Sequence, residues 1–312
     1  MTEVKLPESV VVIERGWLSS NNILLFAGTD ATLIDAGYVG HAPQTVELIK
    51  SVLAARHPPA RLQRLINTHS HSDHIGGNSA VQAAFGCEIH IPAGIEDMVA
   101  NWDEDALLLT SARQRADRFA HDGVIAANEE FEMGGFLWKA LPAPGHDMAA
   151  LVYYCAEQRL LISGDALWQD GFGIIFGELM GNPGALSATR ETLEMIGRLD
   201  VQTVIPGHGP AFGEFDAAMT RAFARLASFE QDGSRMGRNA VKACFTFNLL
   251  DLGRLREDEL PAYLTSVPFF HEINLRIFGM SDADFATWLL ADLKKSRAVE
   301  VRDGWVVPMM AP

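Results

Sequence analysis

Residues 66–77 read INTHSHSDHIGG: the end of an apolar run, then His69, His71, Asp73 and His74 within six positions, then two glycines. Four metal-competent side chains crowded into one short loop are costly unless something binds them. His69 and His71 are two apart, so an extended segment points both the same way. Asp73 and His74 fall where the chain turns into the helix announced by Gly76 and Gly77. One loop of this kind can serve two metals.

Further ligands are then expected at strand ends elsewhere, and three candidates occur. His146 lies in PAPGHD after the apolar FLWKAL, Asp165 in LLISGDAL, and His208 in VIPGHGP. Glycine precedes each, which lets the backbone turn sharply and present the side chain at a strand end. Borderline metals such as zinc favour this mixture of imidazole and carboxylate and leave a position open for water in catalytic sites.

Around these residues the pattern is layered α/β. SVVVIERG and the pair NNILLFAGTDATLIDAG read as strands, the pair turning at Gly28 to Asp30. HAPQTVELIKSVLAAR spaces Val46, Ile49, Val52 and Leu53 as a helix, LQRLINT returns to a strand, NSAVQAAFG is a helix ended by Gly86, and EIHIPA is another strand. Residues 101–130 read as helical and charged. A second β-rich half follows, from EEFEMGG to VQTVIPGHG, broken by the helix ALSATRETLEMIGRL. From about Glu214 the texture becomes helical, closing on a helix and two strands that turn at Asp303-Gly304, a winged-helix-like tail. The expected domains are residues 1–213, catalytic, and 214–312, a helical extension.

H-x-H-x-D-H followed by Pro-Gly-His, Ser-Gly-Asp and a final Pro-Gly-His resembles the metallo-β-lactamase-fold superfamily over residues 22 to about 210. The joint pattern is specific, although any one piece is weak. The resemblance implies a four-layer αβ/βα sandwich and a metal-dependent hydrolase. It assigns His69, His71 and His146 to a first metal and Asp73, His74 and His208 to a second, with Asp165 bridging them. Two divalent ions are implied, zinc first, with manganese or iron as other occupants. Asp35 in LIDAG matches a residue that orients a ligand in the family; capping its own loop is the alternative role.

Paired metals lower the pKa of a shared water and stabilise a developing oxyanion, so a bridging hydroxide is the implied nucleophile. Asp73 is the candidate to orient it or carry a proton. Asp165 argues against the antibiotic-degrading β-lactamases, which typically lack an aspartate at this bridging position. GHGPAFG replaces the Gly-His-Glu-Tyr of glyoxalase II enzymes, and PGHDMAA places Asp147 where threonine is commoner. Trp168, Phe172 and Phe176, in the apolar stretch after Asp165, line a substrate pocket or pack on the C-terminal helices. The pocket reading suits an ester, thioester or lactone with an apolar moiety. The overall layout is also similar to the lactamase-β-like-2 ribonucleases, which makes a single-stranded nucleic-acid or phosphodiester hydrolase the first alternative. A persulfide dioxygenase with one iron is the second.

Composition narrows these options. The formal charge is −15, and residues 211–312 hold 14 acidic and 12 basic residues, so the tail lacks the basic patch of a nucleic-acid binder. A net positive metal site would still draw a small anionic substrate. MTEVKLPESV has no basic-then-apolar leader, and no apolar run approaches membrane length. Cys87, Cys155 and Cys244 are odd in number and widely spaced, as for reduced, buried thiols, so a cytoplasmic enzyme is expected. Covering the site, selecting substrate and forming a homodimer are the roles open to the tail.

Overall fold

The computed structural model describes Val4 and residues 6–309. The reading of the first residues as leaderless falls partly on Met1–Glu3 and Lys5, which lie outside them.

Two twisted sheets face each other. The first orders β1 (Val10–Ile13), β2 (Asn22–Ala27), β3 (Asp30–Ile34), β4 (Arg61–Ile66), β5 (Glu88–Pro92) and β6 (Gly123–Ile125) in sequence. Its first three strands are antiparallel and its later pairings parallel. The second runs from β7 (Glu130–Met133) through β8 (Phe136–Pro142), β9 (Leu151–Cys155) and β10 (Leu160–Gly164) to β11 (Thr203–Pro206). It is antiparallel except for the parallel β10–β11 pair.

Period-two alternation sorts the strand side chains into layers. Ile23, Leu25, Ile34 and Ile66 face Trp138, Tyr153, Leu160 and Ile162 between the sheets. Leu24, Phe26, Leu33 and Leu65 point the other way. There they meet Val46, Ile49 and Leu53 of α1 (Ala42–Ala54) and Val81 of α3 (Asn78–Phe85), which follows the one-turn α2 (Ser72–Ile75). On the far side Val152, Leu161 and Val204 pack on α7 (Ala185–Ile196) and α8 (Phe215–Gln231). The result is the expected αβ/βα sandwich.

Residues 101–130 depart from expectation. The short α4 (Glu96–Asn101) stops at Trp102, α5 (Leu109–Ala112) is a single turn, and most of the rest is irregular until β6. Trp102, Leu108 and Arg113 have φ of 55°, 59° and 53°, each interrupting a helical run. The buried residues Leu107, Leu109, Ala112 and Phe119 do not share a helical stripe, so tertiary burial overrides the segment's propensity.

After α6 (Phe176–Leu179) and α7, the C-terminal part is helical: α8, α9 (Gly233–Leu252), α10 (Leu260–Ser266), α11 (Pro268–Ile273) and α12 (Asp282–Lys295). The expected hairpin forms from β13 (Val299–Arg302) and β14 (Trp305–Pro308). It gains a third strand that the sequence hid inside a helix-like stretch, β12 (Leu255–Arg256). Val241, Phe245 and Leu249 of α9 join the core that contains Val152, Leu161 and Val204. The three cysteines are buried and unpaired. Among the described residues no helix is long and apolar enough to cross a membrane.

Candidate metal centre

The seven expected ligands converge. Donor atoms of His69, His71 and His146 lie within 4.8 Å of one another, as do those of Asp73, His74, Asp165 and His208. His69 and His71 come from the loop after β4, Asp73 and His74 from α2, and His146 from the loop after β8. Asp165 directly follows β10, and His208 lies just beyond β11. Gly145 and Gly164 take φ of 145° and 47°, as the turns before His146 and Asp165 require. Gly207 is needed for space instead: a Cβ there would collide with Asp165 Oδ1 and come 2.9 Å from His74 Cε1.

Asp165 reaches both groups. Its Oδ2 is 3.3 Å from His146 Nε2 and 3.9 Å from His208 Nε2, and its Oδ1 is 3.6 Å from His74 Nε2. Asp73 Oδ2 lies 2.9 Å from His208 Nε2, and His71 Nδ1 lies 2.7 Å from His146 Nε2.

Surrounding atoms fix the ring orientations. His74 Nδ1 donates to Asp35 Oδ2 at 2.8 Å. His69 Nδ1 meets Thr68 Oγ1 at 3.0 Å, and that hydroxyl donates to the same Asp35 oxygen at 2.8 Å. His146 Nδ1 donates to the Ile174 carbonyl at 2.6 Å. Asp147 accepts from the Ser70 backbone at 2.9 Å and from the Ser70 hydroxyl at 2.6 Å, tying the HSHSDH loop to the one bearing His146.

These bonds leave His69 Nε2 and His74 Nε2 buried without a hydrogen-bond partner among the described residues. Orphaned buried nitrogens beside carboxylates are what a cation would satisfy, so the residues fit a metal site. The electrostatics differ between the two groups. Burial, then the charges of His74, His71 and His146, hold His69 well below the usual imidazole range, in the neutral form that ligates. Burial and then His146 lower His71 to about 4. Burial opposes charge on His74, yet Asp35, Asp73 and Asp165 together hold it well above the ordinary value. Burial likewise works against ionising Asp165, but His208, His74 and His146 keep its carboxyl well below the usual range.

A cavity of about 320 Å³ opens above the two groups. Trp168 and Phe176 line it, as does Trp17. Trp168 Nε1 also donates to Asp165 Oδ1 at 3.0 Å. Phe172 does not share that placement: it is 1 % exposed and packs edge-on against Phe229 of α8. Sequence reading missed Trp17, whose ring lies 5.2 Å from that of His208 and 5.5 Å from that of Trp168. Its only signal was a lone tryptophan in the polar loop ERGWLSSNN. It also missed Gln114, which lines the cavity and accepts from the Ser72 hydroxyl.

A sandwich of paired sheets that gathers histidines and aspartates at its strand ends, beneath an aromatic-walled cavity, is the framework of a metal-dependent hydrolase. Residues 15–208 match the family model of the metallo-beta-lactamase superfamily, and the chain belongs to that superfamily. It is 28% identical over 198 residues to the probable metallo-hydrolase YqgX of Bacillus subtilis, covering 62% of this chain and 87% of that one. It is also 28% identical over 144 residues to a hydroxyacylglutathione hydrolase of Rhodospirillum rubrum, spanning 46% of each chain. Among solved structures, a metallo-beta-lactamase family protein of Thermus thermophilus superposes with a TM-score of 0.57 at 17% identity over 96% of both chains. The BLEG-1 B3 metallo-beta-lactamase superposes at 0.51 with 22% identity, over 68% of this chain and 99% of that one.

Proposed function

We propose that the protein is a two-metal hydrolase of esters, thioesters or lactones that carry an apolar moiety. The observation that carries this reading is the position of Asp165, one carboxylate within reach of both ligand groups beneath an apolar-walled cavity. His69, His71 and His146 would hold one ion, Asp73, His74 and His208 the other, and Asp165 both. The ions, zinc first, would supply an activated water and stabilise charge developing on the scissile group.

The chain's own groups do the rest. Asp73, hydrogen-bonded to His208, is placed to take a proton from the attacking water and pass it to the leaving group. Trp168 holds the Oδ1 edge of Asp165 through its indole N–H. Trp17, Phe176 and Phe247 line the cavity and exclude water from it. Likeness to enzymes named hydroxyacylglutathione hydrolase favours a thioester among the three linkages, although His208 is followed by Gly-Pro here. The same reading divides the chain after residue 213, with reactive groups before it and much of the cavity wall after it. It places the protein in the cytoplasm.

Metal content per chain, measured on protein purified without added metal or chelator, tests this. About two zinc or manganese ions, with turnover of an acyl thioester panel, is the expected result. A single iron would replace the proposal with the oxygenase reading.

A further inference from the structure

The cavity is not apolar throughout. Its lining also includes Arg225 of α8 and Asn239 and Lys242 of α9. Arg225 is half-buried, lying 5.2 Å over the Phe172 ring and 5.5 Å over Phe229. Its Nη2 donates to Asn239 Oδ1 at 2.7 Å, and Nη1 reaches only the Asp170 carbonyl at 3.5 Å. Among the described residues it makes no ion pair, and Asp170 is engaged 3.0 Å away by Arg221. An unpaired guanidinium in a pocket wall is notable in a chain with 40 acidic and 25 basic residues. A partly buried charge without a counter-ion is costly, and a guanidinium is built for planar, two-pronged recognition of carboxylate or phosphate.

Lys242 stands one helical step from Asn239 and pairs with Asp292 at 3.1 Å. Beyond it a polar cleft continues between Arg235, Arg238 and Asp232, sharing Asn239 and Lys242 with the cavity. One cavity lining thus combines candidate metal donors, aromatic side chains and a cation without an ion-pair partner among the described residues.

We propose that Arg225, supported by Asn239 and Lys242, binds an anionic group, carboxylate or phosphate, on the part of the substrate that is not cleaved. The inference rests on the hydrolase reading above and narrows its substrate class to acyl compounds with a charged terminus. The apolar walls take the connecting chain, and the guanidinium sets which substrates fit.

The test is equilibrium binding by calorimetry to the metal-loaded protein, with no turnover involved. The probes are dicarboxylates of increasing length, from succinate to sebacate, their monomethyl esters, and ω-phosphono carboxylates. Wild type is expected to bind at least one doubly anionic probe about tenfold more tightly than its monomethyl ester, a step worth about 1.4 kcal/mol. Whether the carboxylate or the phosphonate series shows the larger step identifies the anion. Arg225→Met keeps the methylene packing on Phe172 and Phe229 and is expected to reduce that ratio to about one; Arg225→Lys is expected to retain part of it. Equal binding of the doubly anionic probes and their singly anionic monomethyl esters by wild type, or an undiminished ratio in a folded Arg225→Met protein, would overturn the proposal. A failure of the hydrolase reading looks different: the charge preference persists while no matched thioester is cleaved.

Discussion

Asp35 Oδ2 accepts the Nδ1 proton of His74 across 2.8 Å, from a position 39 residues earlier in the sequence. The same oxygen accepts from Thr68 Oγ1, which contacts His69 Nδ1. One carboxylate therefore orients a histidine of each ligand group. Asp35 does this from φ 57°, a left-handed conformation that aspartate tolerates better than most residues. Asp35→Ala is expected to weaken metal affinity by roughly 10–100-fold, the usual effect of removing a partner of a ligand. Competition with a chromophoric chelator measures this, and an unchanged affinity would remove Asp35 from the role.

Gly207 is a steric requirement of the site. Gly207→Ala would drive a methyl group into Asp165 Oδ1, so loss of metal and of turnover is expected from a protein that still folds. Gly213→Ala, whose Cβ would meet nothing closer than 3.5 Å, is the control and is expected to keep its metal. Elemental analysis of the two variants side by side decides the point.

Trp168 makes two separable contributions to the structure, a hydrogen bond to Asp165 and a stretch of cavity wall. Trp168→Phe removes the N–H that holds Asp165 Oδ1 but keeps an aromatic wall. A fall in kcat equivalent to about 1 kcal/mol is expected, with KM little changed. Trp168→Ala also opens the cavity, and is expected to shift preference toward bulkier acyl groups more than it alters metal content. Equal rates on short and long acyl esters in wild type and both variants would count against the assignment.

Phe172 belongs to the packing between the turn after β10 and α8. Phe172→Ala is expected to destabilise the protein by about 3–5 kcal/mol, the usual range for deleting a buried aromatic side chain. Urea unfolding measures it, and a cost below about 1 kcal/mol would mean that the side chain is dispensable to the core.

The seven positions that converge were legible because each carries its chemistry locally: a metal-competent side chain at the end of an apolar strand or in the loop after it, with turn-forming glycines close by. Strand alternation and the helix ended by Gly86, where φ is 64°, were legible for the same reason. What escaped depends on contacts distant in sequence. Asp251 anchors the end of α9 by accepting from Tyr38 Oη at 3.1 Å and from Arg115 Nε at 3.1 Å, partners 213 and 136 residues away. Trp17, Gln114 and Arg225 acquire meaning only when α9 closes over the metal loop. The segment 101–130 was misread because its helix-favouring composition yields to irregular burial of Leu107, Leu109 and Phe119.

The cavity is lined by two stretches of chain. Every proposed metal donor lies within residues 15–208, the part that matches the family. Arg225, Lys242, Phe247 and Leu293, which complete the wall, lie outside it. α9 is seated in the same continuous core as the β10–β11 strands, so the wall packs on the strands that present Asp165 and His208. Substitutions along one face of α9 can therefore change which molecules are admitted while leaving the reactive centre untouched. Under the proposed hydrolase reading, a lineage that kept the first two hundred residues intact and let this helix drift would acquire new substrates without rebuilding its metal site.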